Sequence, residues 1–63
     1  MTIPISPLPR FFSVTETAAS LKVSQKTVRR WIARGDLNVH RFGRQIRVSE
    51  GDLKAFIARH REA

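Results

Sequence analysis

The apolar residues fall at helical spacing from Ser13 onward. Val14, Ala18 and Leu21 stand at i, i+4 and i+7, which places them on one face of an α-helix. Ser13 and Glu16 form a Ser-x-x-Glu capping box, in which the serine oxygen and the glutamate satisfy amides that a helix start leaves orphaned. The spacing therefore predicts a first helix over about Val14 to Leu21, with Ala19 keeping it slim for a close neighbour. A second start follows at Ser24, with Val28, Trp31 and Ile32 at i, i+3 and i+4, and Gly35 placed to end the helix in a left-handed conformation.

Only Lys22 to Ser24 separates these two helices, with Val23 available to plug the angle between them, which is the helix-turn-helix pattern. Beyond Gly35 the period shortens to two. Val39 to Phe42, Gly43-Arg44, and Gln45 to Val48 read as a β-hairpin with a type II′ turn. That register pairs Val39 with Val48 and Arg41 with Ile46, and leaves His40, Phe42, Gln45 and Arg47 on the other face. Ser49 and Asp52 make a second capping-box-like start, and Leu53, Phe56 and Ile57 supply the inward face of a last helix from about Glu50 to His60. Residues 1–10, with prolines at positions 4, 7 and 9, predict an extended or disordered arm. The expected organisation is thus a flexible arm (1–10), one domain (11–60) and a tail (61–63). The fold class is mainly α with a small β-hairpin: a winged helix-turn-helix with a two-stranded wing and a C-terminal helix.

Charge changes the picture most. The chain carries +7 in 63 residues. Between Lys22 and Arg47 stand eight basic residues and one acid, whereas the charges outside that stretch cancel, four against four. A charged face kept only for solubility mixes its signs, so this concentration points to a polyanionic partner. With Val28 taken as the inward direction and about 100° per residue, Lys26, Arg29, Arg30 and Arg34 fall on the outer half of the second helix. The candidate reader of a DNA major groove is therefore this helix, with Ser24, Gln25, Lys26, Thr27, Arg29, Arg30 and Arg34 as contacts, and with Lys26, Thr27 and Arg30 favoured for bases. The wing offers Arg41, Arg44, Gln45 and Arg47; Arg44 at the tip suits a minor groove, and Arg41 and Arg47 suit phosphates.

Other chemistries find little support. Trp31 sits at core spacing, and the four Phe fall mostly at core or turn positions, so no exposed aromatic row for stacking single strands is expected. Cysteine is absent and the two histidines are far apart in sequence, so neither a metal site nor a cofactor is expected. Glu16, Glu50 and Asp52 have helix-start roles and Asp36 follows the helix-ending Gly35; with no Tyr and no Ser-His-Asp pattern, no catalysis is expected. No apolar run approaches the roughly 18 residues of a membrane span, and the opening residues lack a signal-peptide pattern, which predicts a soluble cytoplasmic protein that contacts no membrane.

The ordered pieces Ser13-Val-Thr-Glu16-Thr-Ala18-Ala, Val23-Ser24, Thr27-Val28, Gly35-Asp-Leu37, Arg41-Phe-Gly43-Arg44, Arg47-Val48 and Asp52-Leu53 with Phe56 resemble the excisionase-type branch of the MerR-like winged helix-turn-helix proteins. The resemblance covers about residues 11 to 58. Asn38 stands where such proteins often have proline, and Trp31 where a smaller aliphatic is common. It implies a bacterial or phage-encoded recombination directionality factor: a protein that binds adjacent double-stranded DNA sites, bends the DNA, and contacts a site-specific integrase or its own neighbours to favour excision of a mobile element. A small transcriptional regulator of the same fold is the first alternative. The second is a basic protein or RNA interaction module, which the expected lack of exposed aromatics disfavours. A footprint this small also predicts weak binding by one copy and head-to-tail association on repeated sites.

Overall fold

The computed structural model describes residues 10–61. The arm expected over 1–10 lies, except for Arg10, outside the described residues, as do residues 62 and 63 of the expected tail. Six elements follow one another: β1 (Phe11–Phe12), α1 (Val14–Leu21), α2 (Gln25–Ala33), β2 (His40–Phe42), β3 (Gln45–Ser49) and α3 (Glu50–Arg59).

Both helices of the first pair start as their caps dictate. Ser13 Oγ accepts the Glu16 amide at 3.0 Å, and Glu16 Oε1 accepts the Ser13 amide at 2.9 Å, which completes the capping box. Ser24 Oγ likewise accepts the Thr27 amide at 3.1 Å. Their ends differ in sequence but share a geometry. After α2, Gly35 takes φ 79°, while its amide and that of Asp36 donate to the carbonyls of Ile32 and Trp31. After α1 the left-handed residue is Lys22 (φ 57°, ψ 43°), with the amides of Lys22 and Val23 donating to Ala19 and Ala18. That closure turns Val23 back onto the core, so the connection between the helices needs no more than Lys22 to Ser24.

The wing adopts the expected register, with His40 opposite Arg47, Arg41 opposite Ile46 and Phe42 opposite Gln45. Gly43 takes φ 64°, the positive value that the first residue of a type II′ turn requires. The sheet, however, has three strands rather than two. Phe11 and Phe12 pair with Ser49 and Val48, giving the order β1-β3-β2. The Glu50 amide adds a bond to the Arg10 carbonyl at 2.8 Å. Ser49 ends β3 and caps α3, so strand passes into helix without a linking residue. The second capping box is altered: Ser49 Oγ accepts the Asp52 amide but donates to Asp52 Oδ2 at 2.9 Å, so that carboxylate takes a hydroxyl rather than a backbone amide.

The core comprises Val14, Ala18, Val28, Leu37, Val48, Leu53 and Phe56, with Trp31, Ile32 and Leu21 partly buried around it. Trp31 is therefore a core-edge residue, its ring 4.7 Å from that of Phe56. Two expectations fail. Ala19 is exposed and mediates no close approach, and Ile57 remains 46% exposed instead of facing inward. One turn of helix has room for Leu53 and Phe56 beneath it, and Ile57 overhangs the edge.

Thr17 is fully buried, and its Oγ1 has no hydrogen-bond partner among the described residues. A buried hydroxyl left unpaired costs about 1–3 kcal/mol. Thr17→Val keeps the β-branched shape and removes that cost. It is expected to stabilise the domain by about 1 kcal/mol, read as a higher urea midpoint at unchanged m-value. Glu16 provides a second test. Hydrogen bonds from the Ser13 backbone and side chain hold its carboxyl below the usual range, with help from Arg47 and Arg10. Because the folded pKa is depressed, the contribution of Glu16 is fully present above the ordinary value of 4.5 and is lost as pH falls through the lower folded value. Glu16→Gln preserves capping shape but cannot ionise. The stability gap between the two proteins should narrow on acidification, and a gap independent of pH would show that the charge plays no part.

Candidate nucleic-acid interface

The outer side of α2 is formed by Gln25, Lys26, Arg29 and Arg30, all exposed, with Arg34 exposed just past the last turn as the C-cap. Ser24 and Thr27 stand apart from this set. Their hydroxyls lie 2.9 Å from each other, and Ser24 Oγ also caps the helix, so both are committed within the protein. Thr27 is half-buried as well. On the wing, Arg41, Arg44 and Gln45 are exposed and Arg47 is half-buried.

The tertiary fold brings part of this set together. A cleft of about 250 Å³ lies between α2 and the wing, lined by Arg29, Arg44, Gln45 and Arg47, with Ser13 and Thr15 at the start of α1. Its origin is the shortness of β1. Because β1 pairs only with Val48 and Ser49, the edge of β3 from Gln45 to Arg47 has no neighbouring strand on that side among the described residues. Arg47 Nη1 donates to the Ile46 carbonyl at 2.8 Å and so satisfies one group of this open edge. Lys26, Arg30, Arg34 and Arg41 do not line the cleft. The cleft adds a feature that sequence reasoning had used only as a helix cap. With the Ser13 and Glu16 amides bonded within the box, the first-turn amides of Val14 and Thr15 remain for an outside acceptor. The signal available beforehand was a capped helix start followed by basic elements, but not their proximity.

Electrostatics favour an anion here. Among the described residues the salt bridges are His40 with Asp52 (3.4 Å) and Glu50 with Lys54 (3.7 Å), so no carboxylate pairs with any lysine or arginine of α2 or the wing. Those cations remain available to phosphate oxygens, which arginine binds in a planar, bidentate fashion. Among the described residues, no group of three or more His, Asp or Glu could hold a metal ion, and no helix is long and apolar enough to cross a membrane.

Residues 11–61 match the helix-turn-helix domain family. The chain belongs to that family. The membership agrees with the capped helix pair, the tight turn and the wing, and it supports DNA binding by this helix-turn-helix domain. The chain is also similar to the uncharacterized protein YvgK of Bacillus subtilis (strain 168), at 47% identity over 45 residues. Those residues are 71% of this chain but 15% of the relative, so the chain spans a small part of that longer protein.

One expectation about the domain's surface is overturned. Phe11 (37% exposed) and Phe42 (53% exposed) are not core residues, and with His40 they form an aromatic cluster on the outer face of the sheet. The pairing of Phe11 with Ser49 and of His40 with Arg47 sets all three rings on the same side. Sequence periodicity left Phe11 unplaced because two residues make too short a strand to show alternation.

Proposed function

We propose that the domain binds duplex DNA sequence-specifically, with α2 in the major groove and the wing beside the adjoining minor groove. Gln25, Lys26 and Arg30 face the base edges, since they project from the outer side of α2 without lining the cleft. Arg29, Arg47 and the first turn of α1 hold the strand of phosphates between helix and wing, and Arg44 extends from the turn toward the minor groove. Arg34 and Arg41 add outlying phosphate contacts. Ser24 and Thr27 act by shaping the start of the reading helix rather than by reading bases, given their mutual hydrogen bond. The observation that carries this reading is the arginine-lined cleft joining α2, the wing and the α1 start.

The biological role we infer is that of an excisionase, an accessory factor that occupies adjacent sites head to tail, bends the DNA and helps a site-specific integrase excise a mobile element. The resemblance of residues 11 to 58 supports it, as does a domain small enough to need neighbours for specificity. With about six phosphates neutralised, the plot of log K against log salt on an attachment-site duplex should slope near −5; a flat plot counts against DNA binding altogether. A small transcriptional regulator of the same fold is the second reading, since membership of the helix-turn-helix domain family supports DNA binding in either role. Deleting the protein separates the two. Lost excision supports the first, whereas unchanged excision with an altered transcript supports the second.

A further inference from the structure

The outer sheet face joins exposed rings to residues of the cleft. The Phe11 ring meets His40 at 5.4 Å and Phe42 at 5.5 Å, both edge to face, while the His40 and Phe42 rings lie 12° from parallel. Each ring thus steadies the others, and Phe42 stands 53% exposed to solvent. Cross-strand partners share a face, so Gln45 opposite Phe42 and Arg47 opposite His40 belong to this side as well. Both also line the cleft between α2 and the wing, so ring face and cleft adjoin through these two side chains. The local charge suits a phosphodiester strand. Arg47 lies on the face, Arg41 and Arg44 flank Phe42 along the wing, and among the described residues no carboxylate forms a salt bridge with any of them. The Asp52 carboxylate beside His40 is engaged by that ring and by the Ser49 hydroxyl.

We propose that this face stacks unpaired bases of a DNA strand, next to the duplex held in the cleft. Aromatic rings set on a sheet among cations are the platform that single strands use, because every base has an apolar face and every linkage a phosphate. Inside a duplex those base faces are already covered by their neighbours, so paired DNA has no use for the rings. Phe42 supplies the stacking surface, Phe11 and His40 hold it in place, and Arg47 takes the backbone of the same strand. The face is a second nucleic-acid surface, beyond the duplex reading above, and rests on that reading only for the position of the strand. It suits the domain to a point where paired DNA opens.

The experiment compares a blunt duplex, the same duplex with an unpaired oligothymidylate arm, and a free oligothymidylate. The arm should raise affinity about tenfold, the order of one base stacked on an aromatic side chain. Phe42→Thr, which keeps a strand-forming residue, should abolish that gain and leave blunt-duplex affinity unchanged, which also reports an intact wing. Phe42→Tyr should retain the gain. A 2-aminopurine placed in the arm should lose fluorescence on binding wild type and keep it with Phe42→Thr. An arm that adds nothing, a gain that survives Phe42→Thr, or an equal loss on both duplexes overturns the stacking face, leaves duplex binding standing and points the rings to a protein partner. Binding of the free oligothymidylate that depends on Phe42, with no binding of the blunt duplex, upholds the face and overturns the duplex reading.

Discussion

Arg29→Gln combined with Arg44→Gln is expected to weaken binding to a single-site duplex about 30-fold at 0.15 M salt and to flatten the salt slope by about 2. Each neutralised phosphate contributes about 0.9 to that slope, which is a factor of about 5 in affinity at this salt. The two residues come from different elements, α2 and the wing turn, and meet across one cleft. Loss of both should therefore reach partners on one strand segment, and it should act almost equally on cognate and unrelated duplexes. Arg47 is left in place because its bond to the Ile46 carbonyl gives it a structural task as well. Salt titrations of wild type and variant on two duplexes provide the check, and an unchanged slope would remove the cleft from the DNA-binding surface. Lys26→Gln or Arg30→Gln should behave differently, with a loss that depends on the base sequence.

The largest effect on stability is expected from Leu37→Ala, at about 2–5 kcal/mol. Leu37 lies between α2 and β2, outside any regular element, yet it is 1% exposed and among the largest fully buried side chains. The left-handed Gly35 reverses the chain, and the Leu37 amide bonds to the Trp31 carbonyl at 3.3 Å, which drives the side chain inward beneath α2. A domain of this size has a total stability of about 3–9 kcal/mol, so the truncation can unfold much of the population at 37 °C. Urea unfolding measures the loss directly. Saturating duplex DNA should restore part of it, since a ligand of the folded state alone shifts the balance by mass action. A loss under about 1 kcal/mol would mean that the core closes over the missing atoms.

The contrast between Leu37 and Val28 shows where sequence reading succeeds. Val28 has helical partners at i+3 and i+4, so its burial follows from periodicity, whereas Leu37 has no periodic neighbours and its depth depends on a turn. Thr17 is similar. Its polar type argues for solvent, but its place one turn from Val14 and beside Ala18 turns it into the core. Ile57 errs in the opposite direction, apolar and in phase with Leu53 yet left outside, because periodicity marks a face without showing how far the opposing surface extends.

The interface divides in the same way. The basic outer side of α2 was legible because a helix converts spacing directly into direction. The meeting of Arg29 with Arg44 and Arg47 was not, because it depends on how the wing packs against the helix pair. The amino-acid sequence alone determined the three helices with their caps, the hairpin register and the segment that holds the excess charge, since each follows from contacts between residues a few positions apart. Only the tertiary structure decided the third strand at Phe11–Phe12, the cleft beside the open edge of β3 and the aromatic face outside the sheet. These depend on residues far apart in the chain, whose approach is set by packing of the whole and carries no local pattern.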